Sequence, residues 1–546
     1  MSDDRPEAAD RMPDAERAAS AADPWANLAE PAAYPHPVDR VERIETHISQ
    51  IVLAGEFAYK IKKPVRFDFL DYSPFELRRH LCRRELEINR RSAPQLYLDV
   101  ATIRSGADGA TFVGSGPIIE HAVRMRRFPA DAMAAIRIER DRLAPSALVP
   151  LADRLAEMHS AAAIAPRDRS EVPDRFDGGS PLSPLLEIPV FPPDERGAES
   201  TVVPARINVT FLAEAFAGTS RHESIRRLRN EVERQAVSER DRRIDRIAAG
   251  RIRECHGDLH LGNLILLDGA FVPFDAIEFN ERFRWIDVAA ELAFLLMDLE
   301  DRGFVAHARR VLDRYLERSG DYDLLGVLRF YLGYRALVRA KVERIRQLQQ
   351  LGVAIDGRTP LPEADASTGT YLDLAESYAR PSAPRLTITH GLSGSGKSTE
   401  AARWVERQGA IRLRSDATRK RLLGLAPEAS SGDPSIAYSS AMTERTYDEL
   451  VAVARRILAD GWSVIVDATF LRRRERDRFV ALATEFGLTC GIVDCQAPPD
   501  ELRRRLAMRT GDASEATLEV LERQLVDHDP LADDELARRI VLPPER

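Results

Sequence analysis

Hydrophobic and polar positions change period along this chain, and the changes divide it. Over 38–128, short runs such as ETHISQIVL and EFAYKIKKPV alternate as half-buried strands do. ELRRHLCRRELEINRR follows with helical spacing, and further strand-like segments come after it. This pattern predicts a small mixed α+β lobe. From 134 to about 350 helical spacing dominates, broken by a Pro-, Gly- and Ser-rich insertion over 177–204 and by the strand-like runs LILLDG and FVPFDAIEF. A larger helical lobe carrying a hairpin is expected there. Beyond 385 apolar strands alternate with helices: LTITHG, STEAARWVERQG, IRLRSD, TRKRLLG, a helix over 440–460, SVIVDAT and LTCGIVDCQ. Such alternation predicts an α/β domain with a mainly parallel sheet covered by helices on both faces.

Length and composition sharpen the boundaries. A chain of 546 residues exceeds one ordinary core, since domains run to roughly 100–200 residues, so several compact units are expected. Residues 1–35 are rich in Ala, Asp, Glu, Arg and Pro without periodicity and read as a disordered tail. Residues 36–350 form the first folded region, 351–384 carry the polar punctuation of a linker, and 385–546 form the second domain. Within the linker, YLDLAESYA is a candidate short helix. A net charge of −8 and pI near 5.9 supply no general basic field for nucleic acid, although a local basic patch is permitted. Cys82, Cys255, Cys490 and Cys495 form no CxxC pair and no zinc-like spacing. With no apolar run long enough to span a bilayer, these features predict a soluble cytoplasmic protein with no membrane partner.

Gly391, Leu392, Ser393, Gly394, Ser395, Gly396, Lys397, Ser398 satisfies G-x-x-x-x-G-K-[ST], directly after an apolar strand and directly before a helix, and Thr399 completes the nucleotide-binding signature. The glycines let main-chain N–H groups face phosphate oxygens, and the helix start adds a favourable dipole. Lys397 reaches the outer phosphates, and the Ser398 hydroxyl is placed to ligate Mg²⁺. Asp416 and Arg419 in SDATRKR share one face of a helical first turn. The carboxylate there suits a base for an acceptor hydroxyl and the arginine suits an anionic part of the acceptor; helix capping and a solvated face are the plainer alternatives. Asp467 ends the strand SVIVD, where a carboxylate orients a metal's water shell or merely caps the strand. Arg505 and Arg509 lie one turn apart on a charged helix and are candidates for a lid over the transferring phosphoryl group, or for a solvated face.

The combination of phosphate loop, D-x-x-R, strand-end VDAT and arginine-bearing lid resembles the small P-loop kinases related to polynucleotide kinase and zeta toxin. The resemblance covers about the last 160 residues. It implies that Asp416 is the base and Arg419 the binder of acceptor phosphate, while Lys397 and Ser398 serve ATP and Mg²⁺. Ala468 and Thr469 stand where a motor ATPase would carry its catalytic glutamate, which argues for a kinase.

A second signature, HGDLHLGN at 256–263, resembles the catalytic loop of aminoglycoside phosphotransferases, a branch of the protein-kinase-like fold, over roughly 38–350. The resemblance implies that Asp258 accepts the hydroxyl proton, Asn263 binds one metal, and Asp275, at the end of the next apolar strand, supplies a metal carboxylate. His256 fixes the loop backbone. Lys60 in FAYKIKKP is the expected ATP lysine and Glu85 its helix-borne partner, with Lys62, Lys63 and Glu87 as rivals. The chain departs from the pattern in having no Gly-rich loop before Lys60 and FDAIEF around Asp275. Asp287 reads as a helix cap, and Tyr334, Arg335 and Arg339 as one solvated or salt-bridged helix side.

The whole resembles a bacterial fusion of an aminoglycoside-phosphotransferase-family domain with a P-loop kinase domain. It implies two Mg²⁺- and ATP-dependent sites acting on hydroxyl acceptors, small molecules first. The other readings are a P-loop enzyme regulated by a nucleotide- or metabolite-sensing kinase-like domain, and a C-terminal polynucleotide 5′-hydroxyl kinase. The acidic chain and the absence of aromatic residues interleaved with its basic run disfavour the last.

Overall fold

The computed structural model describes residues 24–540 apart from 68–69, 173–182, 356–358, 381, 431–438 and 509–516. The chain divides into two compact units whose limits do not follow the sequence segments. Among the described residues, one unit comprises 24–132, 183–188 and 272–284, and the other comprises 133–172, 189–271 and 285–540.

The first unit is built on strands β1 (Val41–Glu45), β2 (Ser49–Ala54) and β3 (Phe57–Lys62), the short hairpin β4 (Arg66–Phe67) and β5 (Leu70–Asp71), helix α1 (Phe75–Asn89), and β6 (Tyr97–Gly106), β7 (Gly109–Thr111) and β8 (Ile118–Arg126). The main sheet runs β1-β2-β3-β8-β6-β7, and its printed pairings are antiparallel. Alternation along β3 sends Tyr59 and Ile61 into an apolar cluster with Val52 and Ile103, which turns Lys60 and Lys62 to the opposite face.

That cluster corrects one expectation. Residues 1–23 lie outside the described residues, but the rest of the expected tail is ordered: 3₁₀ turns at Ala26–Ala29 and Pro31–Ala33 seat Trp25, Leu28, Ala33 and Tyr34 in the same core. The Tyr34 hydroxyl donates to the Leu28 carbonyl at 2.6 Å. Large apolar residues at irregular spacing do this without leaving a periodic signal.

The second unit opens with helices α2 (Ala134–Arg140), α3 (Val149–Ala161), α4 (Glu195–Ala215), α5 (His222–Ser238) and α6 (Arg240–Ala248). The insertion expected over 177–204 therefore ends sooner. Asp194 caps α4 by accepting from the N–H groups of Arg196 and Gly197, and Pro204 is carried inside the helix. Strands β9 (Ile252–Glu254), β10 (Leu264–Leu267), β11 (Ala270–Pro273) and β12 (Trp285–Asp287) follow, then α7 (Val288–Asp301), α8 (Val305–Ser319) and α9 (Leu325–Leu351). Asp287 caps α7 through Ala289 N and takes a bidentate ion pair from Arg246, as a cap would. Arg335 is not solvated: it is buried, donates to Ala290 O at 3.1 Å and stacks over Phe294. Inside the expected linker, α10 (Ala366–Tyr378) packs on α9 and buries Tyr371, Leu372 and Ala375.

From 386 onward lie β13 (Leu386–His390), α11 (Lys397–Gln408), β14 (Ile411–Arg414), α12 (Ser415–Leu422), α13 (Ser440–Ala459), β15 (Val464–Asp467), α14 (Arg473–Glu485), β16 (Cys490–Asp494), α15 (Pro499–Ala507), α16 (Leu518–Val526) and α17 (Asp533–Leu536). Their sheet is parallel in the order β14-β15-β13-β16. One apolar cluster runs without a break from α7, α8 and α9 into β13, β14 and β15. All four cysteines are buried free thiols, and no described helix is long and apolar enough to cross a membrane.

Candidate functional site

Three groups gather the side chains expected to carry the chemistry. In the first unit, Lys60 Nζ lies 3.0 Å from Glu85 Oε1 and also pairs with Asp275. Lys62 lies two residues on, on the same face, and takes the other Glu85 oxygen at 2.6 Å together with Glu278. Both lysines therefore compete for one carboxylate, but Lys62 is fully buried and Tyr72 closes over it, while Lys60 keeps some exposure and faces Asp275. Burial acts to raise the Glu85 carboxyl, but the lysine charges outweigh it and hold it down at about 2. Lys63 points instead to Glu45, and Glu87 to Arg84.

Asp275 does not end a strand. β11 stops at Pro273, and Asp275 sits two residues beyond in the left-handed region, φ 62°, which aspartate tolerates better than bulkier side chains. Its N–H is held by the Tyr97 hydroxyl at 3.0 Å and the next N–H by Asn89 Oδ1 at 2.8 Å, so α1 and β6 define the turn.

The second group is the loop after β9. Glu291 of α7 accepts from the N–H groups of His256 at 2.6 Å and Gly257 at 3.0 Å, and Asp298, two turns on, accepts from Leu261 N at 2.8 Å. His256 Nδ1 accepts from Asp258 N. Asn263 donates to the Asp258 carbonyl at 2.9 Å and to its Oδ2 at 3.0 Å. Burial would raise the Asp258 carboxyl, but the adjoining His260, then His256 and Arg335, bring it down to about 2. Asp258 is therefore a carboxylate throughout the neutral range. The loop's two acidic anchors were missed in the sequence; their only trace is the i, i+7 spacing of Glu291 and Asp298 in a helix otherwise apolar from Val288 to Leu299.

The third group surrounds a cavity of about 840 Å³ at the carboxyl ends of the parallel strands. It is lined by Ser393, Gly394, Ser395, Gly396, Lys397, Ser398 and Thr399 of the phosphate loop, by Asp416 and Arg419 of α12, by Asp467, and by Arg505 of α15. Gly391 stands just before them, at φ 142°; a Cβ there would fall 2.2 Å from the Cys495 carbonyl, so only glycine fits. Lys397 Nζ donates to the Leu392 carbonyl at 2.7 Å, turned onto its own loop. Arg419 pairs with Asp416 at 2.7 Å, bringing the expected base and anion holder together. Arg505 donates weakly to Gly394 O, while Arg509 lies outside the described residues. The sequence reading overlooked Arg414, Thr443, Tyr447, Glu475 and Gln524 in this wall. Gln524 accepts from Ser393 N at 2.9 Å, tying α16 to the phosphate loop. Burial raises the Glu475 carboxyl above its ordinary value although Tyr447 donates to it.

The residues fit a nucleotide-bound Mg²⁺. Ser398 and Asp467 line the same cavity, and Asp467 Oδ2 is a buried carboxylate oxygen with no hydrogen-bond partner.

Residues 386–531 match the AAA domain family AAA_33. The chain is 30% identical over 496 residues to the Mycobacterium tuberculosis protein Rv2004c (strain ATCC 25618 / H37Rv), covering 87% of this chain and 88% of that one. Among solved structures, aminoglycoside 2′-phosphotransferase-IIIa in its GDP complex aligns at 14% identity with a TM-score of 0.35, over 63% of this chain and 94% of its own. A gluconokinase from Sinorhizobium meliloti 1021 aligns at 23% identity with a TM-score of 0.20, over 30% of this chain and 82% of its own. The chain belongs to the family of the mycobacterial protein Rv2004c, and its C-terminal region matches the AAA domain family.

Proposed function

We propose that the chain is an ATP-dependent phosphotransferase with two kinase-like sites, each moving the γ-phosphate of ATP to an acceptor hydroxyl, chiefly of small molecules. The observation that carries this reading is the meeting, in one cavity, of Lys397 and Ser398 with Asp416 and Arg419. Phosphoryl transfer asks the protein mainly for positioning and charge. Lys397 leaves the Leu392 carbonyl to meet the outer phosphates, loop N–H groups hold the β-phosphate, and Arg505 covers the transferring group. Asp416 takes the acceptor's proton while Arg419 orients an anionic portion of the acceptor. Mg²⁺, held through Ser398 and Asp467, would neutralise charge on the β- and γ-phosphates. In the kinase-like region, Lys60, steadied by Glu85, serves the ATP phosphates beside Asp275, a candidate Mg²⁺ carboxylate; in the other unit Asp258 is the base and Asn263 a candidate Mg²⁺ ligand.

A second reading, in which the kinase-like region senses a nucleotide or metabolite and controls the P-loop site, draws support from the apolar core shared by α7, α8, α9 and the parallel sheet. Polynucleotide 5′-hydroxyls stay the least favoured acceptors. The test is γ-labelled ATP with a metabolite extract and, separately, an oligonucleotide, on wild type, Asp258→Asn and Lys397→Ala. Loss of different products in the two variants supports two kinases, loss of the same product in both indicates coupled sites, and a sensor tolerates Asp258→Asn while Lys397→Ala loses the product. A wild type that labels nothing overturns the phosphotransferase reading.

A further inference from the structure

The parallel sheet receives an unusual set of charges from the helical lobe. Along β14, Ile411 and Leu413 enter the core, so Arg412 and Arg414 face the other way, onto α8. There Asp313 and Glu317, one helical turn apart and both buried, meet them. Arg412 donates to Asp313 Oδ2 at 2.8 Å and Oδ1 at 3.1 Å, and Arg414 donates to Glu317 Oε1 at 3.0 Å. Glu317 is further held by Arg412 at 3.4 Å and Arg314 at 3.2 Å, and its main-chain carbonyl by Arg421 at 2.9 Å. This carboxylate is therefore rigidly placed.

Arg414 has a second carboxylate within reach. It stands directly opposite Asp467 in the β14–β15 register, and its Nε lies 3.6 Å from Asp467 Oδ2. That contact is too long for a hydrogen bond, and Oδ2 has no other partner. The same Arg414 lines the phosphate-loop cavity beside Ser398 and Asp467. One guanidinium is thus shared unequally between Glu317 of the helical lobe and Asp467 of the P-loop domain.

We infer that Glu317 is a positioning residue of the P-loop site: by engaging Arg414 it keeps the guanidinium from closing on Asp467, leaving that carboxylate oxygen to the water shell of the nucleotide's Mg²⁺. The inference rests on the reading of this cavity as an Mg²⁺–nucleotide site. It gives the helical lobe a direct part in phosphoryl transfer by a domain to which it is not adjacent in sequence. Without Glu317, Arg414 would still have Asp467 Oδ2 at 3.6 Å from its Nε, and a full ion pair there would compete with the metal.

The test measures ADP binding to the full chain by calorimetry with Mg²⁺ and with EDTA, so that the readout is metal dependence rather than turnover. Outer-shell partners of metal ligands typically alter metal affinity by roughly 10–100-fold, and Glu317→Gln should reduce the Mg²⁺ enhancement of ADP binding by that order while leaving binding in EDTA near wild type. Glu317→Gln combined with Arg414→Gln should restore the enhancement, because the competing cation is gone. A purely structural role for Glu317 would not be rescued by removing a second charge. Should Glu317→Gln fail to fold, Glu317→Asp retracts the carboxylate by one methylene and should give a smaller fall of the same sign. An enhancement unchanged in the single variants, or still depressed in the double variant, overturns the inference. ADP that binds wild type equally with and without Mg²⁺ overturns the metal reading of Ser398 and Asp467, and this inference with it.

Discussion

Lys60 and Lys62 hold opposite oxygens of the same Glu85 carboxylate, Lys60 at 3.0 Å and Lys62 at 2.6 Å. They stand two residues apart on β3, yet their surroundings differ: Lys62 is sealed with Glu278 and Tyr72, while Lys60 retains exposure beside Asp275. Lys60→Met should therefore abolish ATP protection of this region in a thermal-shift assay with little change in the unliganded melting temperature. Lys62→Met should do the reverse, since stranding buried carboxylates costs about 3–5 kcal/mol. Equal melting temperatures for the two variants would contradict this division.

Asp258→Asn removes the expected base while keeping the shape and an acceptor for Asn263. General-base catalysis contributes about 10²–10⁴-fold, so the product assigned to the kinase-like region should form at least about a hundredfold more slowly, with nucleotide binding retained. Labelled-product rates together with calorimetric ATP binding separate the two effects.

The same residue makes an acid-side prediction. Its carboxyl lies at about 2 in the folded chain against an ordinary 3.8, so the unfolded chain binds the proton more tightly. The stability it contributes is present above the ordinary value and is lost as pH falls from there toward 2. Urea midpoints of wild type and Asp258→Asn at about pH 5 and about pH 3 should converge on acidification. A gap that widens at low pH would contradict the assignment.

Lys397→Ala should eliminate nucleotide binding at the P-loop cavity, since no other described lysine lines it. Binding stoichiometry by calorimetry should fall by one ATP per chain and leave the Lys60-dependent event untouched. A variant that still binds the wild-type number would remove the phosphate loop from nucleotide chemistry.

Arg329 of α9 donates to the carbonyls of Asp460 at 2.6 Å and Gly461 at 2.9 Å and stacks over Trp462, whose indole N–H returns a bond to Leu325 O at 3.0 Å. Burial lowers this guanidinium to about 10, which leaves it charged at neutral pH, and its hydrogen bonds go to main-chain carbonyls. Charged hydrogen bonds contribute about 1.5–3 kcal/mol, and Arg329→Ala should cost about that much. A single calorimetric transition in wild type should broaden or split in the variant if this contact couples α9 to the P-loop domain.

Much of this was legible in sequence because the determinants are local. The phosphate loop, D-x-x-R and HGDLHLGN are contiguous strings whose geometry follows from glycine freedom and helix starts, and their strands and helices have strong periods. Period also placed Lys60 on a strand and Glu85 on a helix, and the family resemblance favoured Lys60 over Lys62; that the two differ in burial comes from the packed sheet. Tertiary structure alone decided the rest. Trp25, Leu28 and Tyr34 join a core because distant strands offer apolar surface, and irregular spacing conceals that. Asp275 leaves its strand because Tyr97 and Asn89 hold a turn there. The pairing of Glu317 with Arg414 spans 97 positions and joins a helix of one lobe to a strand of another domain. Local strings encode which chemistry a residue can perform, because they set backbone conformation and side-chain type. Which partner constrains it depends on burial and long-range contact, which the folded chain alone brings about.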